Sequence, residues 1–372
     1  MKSKILSFIA IIILVNLICG CFDEKKITAE NIVVEQTDPT EEILRGMSLE
    51  EKVGQVVMIG VYGTEINDDI KFLLSQYKFG GIIYFDRNMD NREQVRNFSA
   101  ELQSFANEKL PLFIALDEEG GRVARMKHDL TPPPSQAEIG ATGDYNLAKT
   151  TAKNLSKELR NIGVNINFAP VADVGSRDTR SFSDNGELVA GFVDNAAKGY
   201  ESENFFYTLK HFPGIGLSKI DPHQDISVID ADKNILDTVD LVPFKKIIST
   251  HDNSKFMIMV GHLKYSALDT ENPASLSYAI MKNLLRDELN FGGVVITDDL
   301  NMGAVAKYNE VGENALKSFQ AGADILLSCH EPEQQTQIYE TILNAVKSGE
   351  ISEERLNESV RRIIKMKLNL VS

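Results

Sequence analysis

Ionisable side chains stand at the ends of five consecutive apolar runs in this sequence. Each run has the length of a buried strand. The residues concerned are Asp117, Glu118 and Glu119, then Asp173, then Lys210 and His211, then His262, and finally Asp298 and Asp299. One polar residue at a strand end often caps a neighbouring helix, but capping does not readily explain five in succession. Carboxylates, imidazoles and ammonium groups gathered at one edge of a sheet can move protons, act as nucleophiles and bind polar ligands.

Several such residues lie in the segment 210–223, KHFPGIGLSKIDPH. It begins where the hydrophobic run 205–209 stops, and its Pro and Gly residues bend the chain. Its side chains that can carry charge or move protons are Lys210, His211, Asp221 and His223. Loops at the carboxyl ends of parallel strands commonly hold the chemistry of α/β enzymes. We therefore expect this loop to contribute to an active site.

Eight apolar runs without polar alternation must position these groups. They cover residues 55–60, 81–85, 112–117, 165–174, 205–211, 255–262, 293–298 and 323–329. Helix-like patterns occupy residues 40–53, 92–107, 146–161, 188–202, 234–249, 277–288 and 313–321. Apolar strands separated by helices predict a parallel sheet covered on its faces. Eight such units predict an α/β fold of the (β/α)8 TIM-barrel type in a single domain, with room for irregular first strands. A two-lobed α/β sheet is the structural alternative.

The composition excludes several classes of partner. Of the 372 residues, 43% are hydrophobic and 25% are charged, which is typical of a globular protein. The formal net charge of −15 opposes binding to nucleic acid or to an anionic membrane surface. The chain has no Trp, so the broad aromatic platforms that grip long polysaccharides are less expected. These properties favour a small ligand held in a pocket.

The N-terminal segment has the pattern of a secretory signal. Residues 1–21 contain two lysines followed by an apolar run. The run ends in Leu17-Ile18-Cys19-Gly20-Cys21, which resembles the lipobox of bacterial lipoproteins and would make Cys21 the lipidated residue. An uncleaved transmembrane anchor is the alternative. We expect a tether over 22–39, one domain over 40–372, and a monomer attached to the cell membrane on its outer side.

Residues 284–302, LLRDELNFGGVVITDDLNM, resemble the active-site signature of glycoside hydrolase family 3. The resemblance implies that Asp298, which follows Thr297, is the catalytic nucleophile. A carboxylate suits this role because it both stabilises and captures a transition state resembling an oxocarbenium ion. Asp299 is predicted to be structural, binding backbone amides of the next loop, and His262 to be a structural hydrogen-bonding residue. Cys329 is expected to be a small core residue.

Within that family the chain is most similar to the bacterial β-N-acetylhexosaminidases. The segments that carry this similarity are 116–125, 168–174, 180–182, 210–214, 272–277 and 321–324. The resemblance implies a barrel that needs no metal or cofactor and a small carbohydrate ligand with a terminal β-N-acetylglucosamine. It also implies which side chains hold the sugar. Asp117 should accept hydrogen bonds from hydroxyls, and Arg125, Arg180, Lys210 and His211 should donate them. Arg122 is open to two interpretations, an ion pair with the adjacent acids or a ligand contact.

The same relatives place their general acid/base on a loop, as a His two residues after an Asp. Asp221-Pro222-His223 has the matching position here, so Asp221 would orient His223 and His223 would transfer the proton. The relatives usually have His, Asp and Ser where this chain has Ile215, Leu217 and Pro222. These substitutions remove possible hydrogen bonds and stiffen the loop, so we expect differences in turnover or in leaving-group preference.

The sequence therefore predicts a retaining exo-β-N-acetylglucosaminidase that acts outside the cell on peptidoglycan fragments or related β-N-acetylglucosaminides. Three alternatives stay open. A His acid/base does not repel an anionic acceptor, so phosphorolysis could replace hydrolysis. The family also contains β-glucosidases, although these generally lack the Asp-X-His loop. From another class, the chain could be a sugar-binding lipoprotein without catalysis, including a solute-binding component of a transporter.

Overall fold

The centre of the molecule is a parallel sheet that curves into a nearly closed barrel. The structure is a computed structural model and describes residues 38–107, 109–126, 129–175, 178–216, 228–306 and 309–371. Its strands are β1 (Val57–Gly60), β2 (Gly81–Ile83), β3 (Phe113–Leu116), β4 (Ile166–Asn167), β5 (Phe206–Phe212), β6 (Val228–Ile229), β7 (Phe256–Val260), β8 (Lys264–Tyr265), β9 (Val294–Thr297) and β10 (Leu326–Ser328). All except β6 and β8 belong to the barrel sheet.

The strands of the barrel follow one another around the sheet in the order β10-β1-β2-β3-β4-β5-β7-β9. Every pair along this order is parallel, as consecutive strands joined by helical crossovers should be. A parallel bridge between Ile296 and Ile325 brings the two ends of the sheet together, and the amide of Thr297 donates to the carbonyl of Ile325 at 3.0 Å. The predicted (β/α)8 barrel is therefore confirmed.

The irregular part of the barrel is at β4 and β5, not at the first strands, which pair in regular register. The run 165–174 was predicted to be one long strand, but only Ile166–Asn167 is a strand of the sheet. Beyond it Pro170 has no N–H to donate to a ladder, and Val171 forms a single bridge to Lys210. The pairing of β5 with β7 also shifts register after Leu209.

Helices surround the barrel. The described α-helices are α1 (Pro39–Gly46), α2 (Leu49–Gln55), α3 (Asp68–Tyr77), α4 (Arg92–Gln103), α5 (Gln136–Ala141), α6 (Tyr145–Asn161), α7 (Gly186–Glu201), α8 (Lys233–Ile235), α9 (Val242–Thr250), α10 (Gly303–Ala306), α11 (Val311–Ala321), α12 (Pro332–Ser348) and α13 (Glu353–Val371). Short 3-10 helices lie at Asp86–Asn88 and Ala274–Leu276, and π-helical turns at Leu236–Asp240 and Ala279–Glu288. Among the residues that the structure covers, no helix has the length and apolarity to cross a membrane.

The first predicted helix, 40–53, is in fact two helices. A capping box explains the break, because the amide of Glu51 donates to Ser48 Oγ at 3.2 Å and the amide of Ser48 donates to the Glu51 carboxylate at 2.9 Å. The spacing Ser-x-x-Glu is present in the sequence and indicates the start of a second helix. The amphipathic pattern over 40–53 runs across this start and therefore suggested one helix. Residues Asp38–Ser372 form one compact unit.

Arg286 and Asp324, which lie in segments that carry the family resemblance, connect the helical layer to the start of β9. The guanidinium of Arg286 pairs with the buried carboxylate of Asp324, which also accepts from the amide of Val295 at 2.9 Å. Arg286 donates in addition to the carbonyl of Phe291 at 2.9 Å. This cluster fixes the beginning of β9 and thereby the position of Asp298 at its other end.

Candidate active site

A cavity of about 700 Å³ opens at the carboxyl ends of the barrel strands. Six residues assigned to catalysis or sugar binding line it, and they are Asp117, Arg125, Arg180, Lys210, His211 and Asp298. Lys210 and His211 lie at the end of β5, and the other four lie in segments that follow β3, β4 and β9. The parallel sheet brings these distant segments to one edge, as expected for a barrel enzyme.

Asp298 follows β9 directly and is half-buried in the cavity. Its amide donates to the carbonyl of Val260 at 3.0 Å, and its carboxylate accepts from the amide of Asp299 at 2.8 Å. Burial opposes ionisation of this carboxyl, but His262, His211 and the Asp299 amide outweigh it, so the pKa of Asp298 lies below its ordinary value. Asp298 is therefore an ionised carboxylate at neutral pH, as a nucleophile must be.

Asp117 joins two of the predicted sugar-binding cations. Its Oδ1 lies 2.6 Å from Nζ of Lys210, and its Oδ2 accepts from the guanidinium of Arg125 at 3.0 Å. The carboxylates of Asp117 and Glu119 together raise the pKa of Lys210 even though burial opposes its charge. These groups form a fixed alternation of donors and acceptors, which is the arrangement that sugar hydroxyls require because each hydroxyl can both donate and accept.

Glu119 binds a third predicted sugar-binding cation, Arg180, and shares Lys210 with Asp117. Its carboxylate accepts two hydrogen bonds from Arg180, both at 2.8 Å, and pairs with Lys210 at 2.6 Å. Burial opposes ionisation of Glu119, but Lys210 and Arg180 outweigh it, so the pKa of Glu119 lies well below its ordinary value. The sequence placed Glu119 in a shared motif without giving it a role, and the structure shows that it fixes Lys210 and Arg180.

The turn after β3 has a backbone that only glycine can adopt easily. Gly120 has a φ of 97°, and a Cβ there would lie 2.3 Å from the carbonyl oxygen of Pro134. On the other side, Asn167 of β4 both accepts from the amide of Glu118 and donates to its carbonyl, each at 2.9 Å. These contacts hold the segment that carries Asp117 and Glu119.

His211 is oriented by Asp173. Its Nδ1 lies 2.8 Å from Oδ2 of Asp173, and the amides of His211 and Ile215 donate to Oδ1 at 3.1 and 3.0 Å. Burial opposes ionisation of Asp173, but His211 and these amides lower its pKa below the ordinary value. Since Nδ1 is bonded to Asp173, a ligand contact by His211 must use Nε2, which lies 3.4 Å from the guanidinium of Arg180.

Asp299 and His262 support the backbone around Asp298, as the sequence predicted. Oδ1 of Asp299 accepts from the amides of Asn301 and Cys329, both at 3.1 Å. His262 is buried, and its Nε2 lies 2.8 Å from the carbonyl of Asp299 while its Nδ1 lies 2.7 Å from Ser275 Oγ. A carbonyl can only accept, so Nε2 of His262 carries a proton.

The sequence interpretation missed two further residues at the cavity, His330 and Asn301. His330 follows β10 by two positions, so the strand-end pattern that identified the other groups extends to the eighth strand. Its Nδ1 lies 3.1 Å from the guanidinium of Arg87. Arg87 is 243 positions away in the chain, and nothing in the sequence pattern links the two. Cys329, predicted to be a core residue, is buried and also lines the cavity.

Several sequence predictions concern residues outside the described part of the chain. These are Asp221 and His223 as the acid/base pair, the substitutions Leu217 and Pro222, and the lipidated Cys21. Ile215 lies within it, half-buried against the core. Arg122 pairs with Asp178 and not with the adjacent acids, and its side chain is largely exposed at the cavity.

The described groups at the cavity include the types of side chain that bind a neutral polar ligand and that can act as a nucleophile. Asp298 supplies an ionised carboxylate, and the cluster of Asp117, Glu119, Lys210 and Arg180 supplies ordered donors and acceptors. Glycoside hydrolases place carboxylates at the scissile bond, and an ionised carboxylate beside this cluster at the mouth of a barrel is compatible with that chemistry.

The chain belongs to glycosyl hydrolase family 3, since the model of the family's N terminal domain matches residues 48–366. Beta-hexosaminidase A of Pseudoalteromonas piscicida is 34% identical over 338 residues, which cover 82% of this chain and 56% of that protein. The beta-hexosaminidase of Haemophilus influenzae strain Rd is 33% identical over 294 residues, covering 77% of this chain and 82% of that protein.

Solved structures agree with this assignment. A glycoside hydrolase family 3 beta-N-acetylglucosaminidase from Paenibacillus sp. str. FPU-7 superposes with a TM-score of 0.84 at 39% identity, covering 87% of this chain and 63% of that one. LpqI of M. tuberculosis has a TM-score of 0.80 at 30% identity, covering 88% of this chain and 96% of that one. The chain thus spans little more than half the length of some relatives and nearly the whole length of others.

Proposed function

We propose that this protein is a retaining exo-β-N-acetylglucosaminidase. Hydrolysis begins with attack of the Asp298 carboxylate on the anomeric carbon, while His223, oriented by Asp221, donates a proton to the leaving oxygen. Water activated by the same imidazole then attacks the glycosyl-enzyme, releasing the sugar and restoring Asp298. The net reaction converts one glycosidic bond and one water molecule into two hydroxyl groups, and the imidazole recovers from water the proton that it gave to the leaving oxygen.

The observation that carries the proposal is the placement of Asp298. It is an ionised, half-buried carboxylate in the same cavity as Asp117, Lys210 and Arg180. The volume of about 700 Å³ is in the range of small-molecule sites, which favours a short ligand with one terminal sugar inside the barrel. The names of the similar proteins, hexosaminidase and N-acetylglucosaminidase, support β-N-acetylglucosamine as that sugar.

The natural substrate that we propose is a cell-wall fragment ending in β-N-acetylglucosamine. Support for this comes from the N-terminal segment, whose lipobox-like end at Cys21 would tether the protein to the outer side of the cell membrane. Incorporation of a labelled fatty acid into the wild-type protein, compared with Cys21→Ser, tests the tether separately from the activity.

The activity is tested with the 4-nitrophenyl β-glycosides of N-acetylglucosamine and of glucose. We expect the wild-type protein to cleave the first and to cleave the second poorly. Asp298→Ala should lose at least about a thousandfold in kcat, and His223→Ala should lose mainly on substrates with poor leaving groups. Wild-type turnover by Asp298→Ala contradicts the mechanism.

Phosphate distinguishes hydrolysis from phosphorolysis. Added inorganic phosphate should leave the products as free N-acetylglucosamine. Formation of a sugar 1-phosphate in its presence would assign a phosphorylase. Preference for the glucoside would assign a β-glucosidase, and sugar binding without turnover would assign a binding protein.

A further inference from the structure

The side of the cavity formed by the end of β10 contains polar groups to which the proposed reaction gives no role. His330 lies there, with its side chain 43% exposed, and it lines the same cavity as Asp298. Around the barrel, β10 is three strands from β3 in one direction and three strands from β5 in the other. His330 therefore faces the sugar-binding cluster of Asp117 and Lys210 from the far side of the barrel mouth.

The protonation of His330 follows from its partner. Nδ1 lies 3.1 Å from the guanidinium of Arg87, and arginine has donors but no acceptor. Nδ1 must therefore be the acceptor, so the proton of the neutral ring is on Nε2. Burial and the charge of Arg87 both lower the pKa of His330, which keeps this form at neutral pH.

Arg87 is itself firmly placed. Its guanidinium donates to the carbonyls of Val61 at 3.0 Å and Cys329 at 2.7 Å. It also lies over the ring of Phe85 at 4.6 Å, and the ring of His330 is 5.2 Å from the same Phe85. The imidazole is thus held in one orientation by a hydrogen bond on one side and an aromatic contact on another.

The Nε2–H of His330 has no acceptor at hydrogen-bonding distance among the described residues. Oδ2 of Asp299 is 3.8 Å away, beyond the roughly 2.7–3.2 Å of an ordinary N–H···O bond. Asn301 has a second such donor. Its Nδ2 is buried and has no hydrogen-bond partner among the described residues. Asn301 and His330 both adjoin Asp299, whose Oδ1 accepts from the Asn301 amide at 3.1 Å.

We propose that His330 is a further specificity-determining residue, whose Nε2–H donates a hydrogen bond to an oxygen of the bound terminal sugar. The cluster of Asp117 and Lys210 holds one edge of the sugar, and His330 holds the opposite edge. Arg87 acts as a positioning residue, because it fixes the tautomer that donates. The inference rests on the proposed function only in taking the ligand to be a sugar.

Two substitutions separate donation into the cavity from structural support. The amide of Asn reaches about as far as Nδ1 of His, so His330→Asn keeps a partner for Arg87 but removes the donor. The amide of Gln reaches about as far as Nε2, so His330→Gln keeps a donor toward the cavity. We expect His330→Asn to raise KM for the 4-nitrophenyl N-acetylglucosaminide about three- to tenfold with a small change in kcat. His330→Gln should recover most of this loss.

A thermodynamic cycle that combines protein variants with ligand analogues identifies the sugar oxygen that accepts the hydrogen bond from His330. Calorimetry measures the binding of N-acetylglucosamine and its monodeoxy and N-deacetylated analogues to wild-type protein and to His330→Asn. One analogue should lose three- to tenfold in affinity for the wild-type protein and little for His330→Asn, because the contact is already absent. Equal losses for every analogue in both proteins overturn the proposal, and so does an unchanged KM in His330→Asn.

The affinities measured by calorimetry do not depend on whether the protein cleaves its substrate. If the wild-type protein binds the sugar without cleaving it, the proposed hydrolysis fails and the affinities still decide the role of His330. If it neither binds nor cleaves the sugar, both proposals fail. A fall in kcat without a change in KM would show that His330 supports Asp299 and does not contact the sugar, which also overturns the proposal.

Discussion

Nζ of Lys210 lies 2.6 Å from Oε1 of Glu119, and both side chains are almost inaccessible to solvent. The same ammonium is 2.6 Å from Asp117, and the same carboxylate is bound by Arg180. Both carboxylate oxygens of Glu119 are therefore bound by cations. Glu119 cannot serve as a proton acceptor for substrate, and its function is to preorganise the cations that would hold a sugar.

The first prediction concerns this buried pair. Glu119→Gln keeps the shape of the side chain but leaves Arg180 without a carboxylate, so we expect a loss of about 3 kcal/mol in the free energy of unfolding. KM should also rise at least tenfold, roughly, because Lys210 and Arg180 lose their fixed positions. Urea denaturation and steady-state kinetics measure the two effects.

A matched control is Glu50→Gln, which removes an exposed ion pair with Lys347. It should change stability little, because solvent screens such pairs. The pKa of Glu119 is lowered in the fold, so its stabilisation is full above the ordinary glutamate pKa and is lost as the pH falls below it. The difference between wild type and Glu119→Gln should shrink below about pH 4.5. A constant difference down to pH 3 contradicts the assignment.

The second prediction separates two adjacent carboxylates. Asp298→Asn should reduce kcat by at least about a thousandfold, because the nucleophile is lost. Asp299→Asn should stay within about tenfold of wild type, because an amide oxygen can still accept from the amides of Asn301 and Cys329. Asp299→Leu, which cannot accept, should fall well below Asp299→Asn. Equal effects of the two Asn variants would show that Asp299 acts through its charge.

The third prediction is a pH effect on stability at His251. Its Nδ1 lies 2.8 Å from Glu201 and its Nε2 3.0 Å from Asp194, both on α7, so the protonated ring joins the end of α9 to α7. Burial opposes the charge, but the two carboxylates outweigh it and raise the pKa of His251.

A raised pKa means that the stabilisation is full below about pH 6.5 and is lost as the pH rises through the higher value in the fold. His251→Gln should therefore lower the urea midpoint more at pH 5.5 than at pH 9. A loss that is larger at pH 9 would show that the ring is neutral in the folded protein.

The fourth prediction concerns Lys367, which is fully buried on α13. Its ammonium donates to Gln55 Oε1 and to the carbonyl of Gly80, both at 2.7 Å, with no carboxylate partner among the residues described here. Burial lowers its pKa to about 7. In the unfolded chain it binds a proton up to about pH 10.4, so its contribution to stability should improve as the pH rises from 7 to 10.

Lys367→Met removes this dependence. The free energy of unfolding of the wild type relative to Lys367→Met should increase between pH 7 and pH 9.5, as followed by urea denaturation. A flat difference over that range would show that Lys367 keeps its proton in the fold.

Most of the barrel could be predicted from the sequence, because eight buried strands leave eight apolar runs. The sixth apolar run, 255–262, contains β7 (Phe256–Val260), which is shorter than the run because pairing with the neighbouring strands stops before the ends of the run. The length of the strand in the run 165–174 was overestimated, since the residues after Asn167 are buried but pair with β5 only through the single bridge of Val171 to Lys210. An apolar run in the sequence indicates that its residues are buried, but it does not indicate which of them form the hydrogen bonds of a sheet.

The site was predictable where a residue follows a strand and matches a known motif, as Asp117, Lys210 and Asp298 do. The contacts between segments were not. The bond from Arg87 to His330 and the pair of Glu119 with Arg180 join positions far apart in the chain, and a single sequence has no periodicity that reports such pairs. His330 itself could have been found by applying the strand-end pattern to the eighth run.

The role of Asp298 as nucleophile is tested most directly by trapping the glycosyl-enzyme. A 5-fluoro-N-acetylglucosaminyl fluoride with the β configuration should form the covalent intermediate faster than water releases it. Mass spectrometry of the intact protein should then show one added sugar, and peptide mapping should place it on Asp298. A sugar attached to Asp299 or to another residue, or a wild-type protein that turns over substrate and never forms an adduct, would contradict the account.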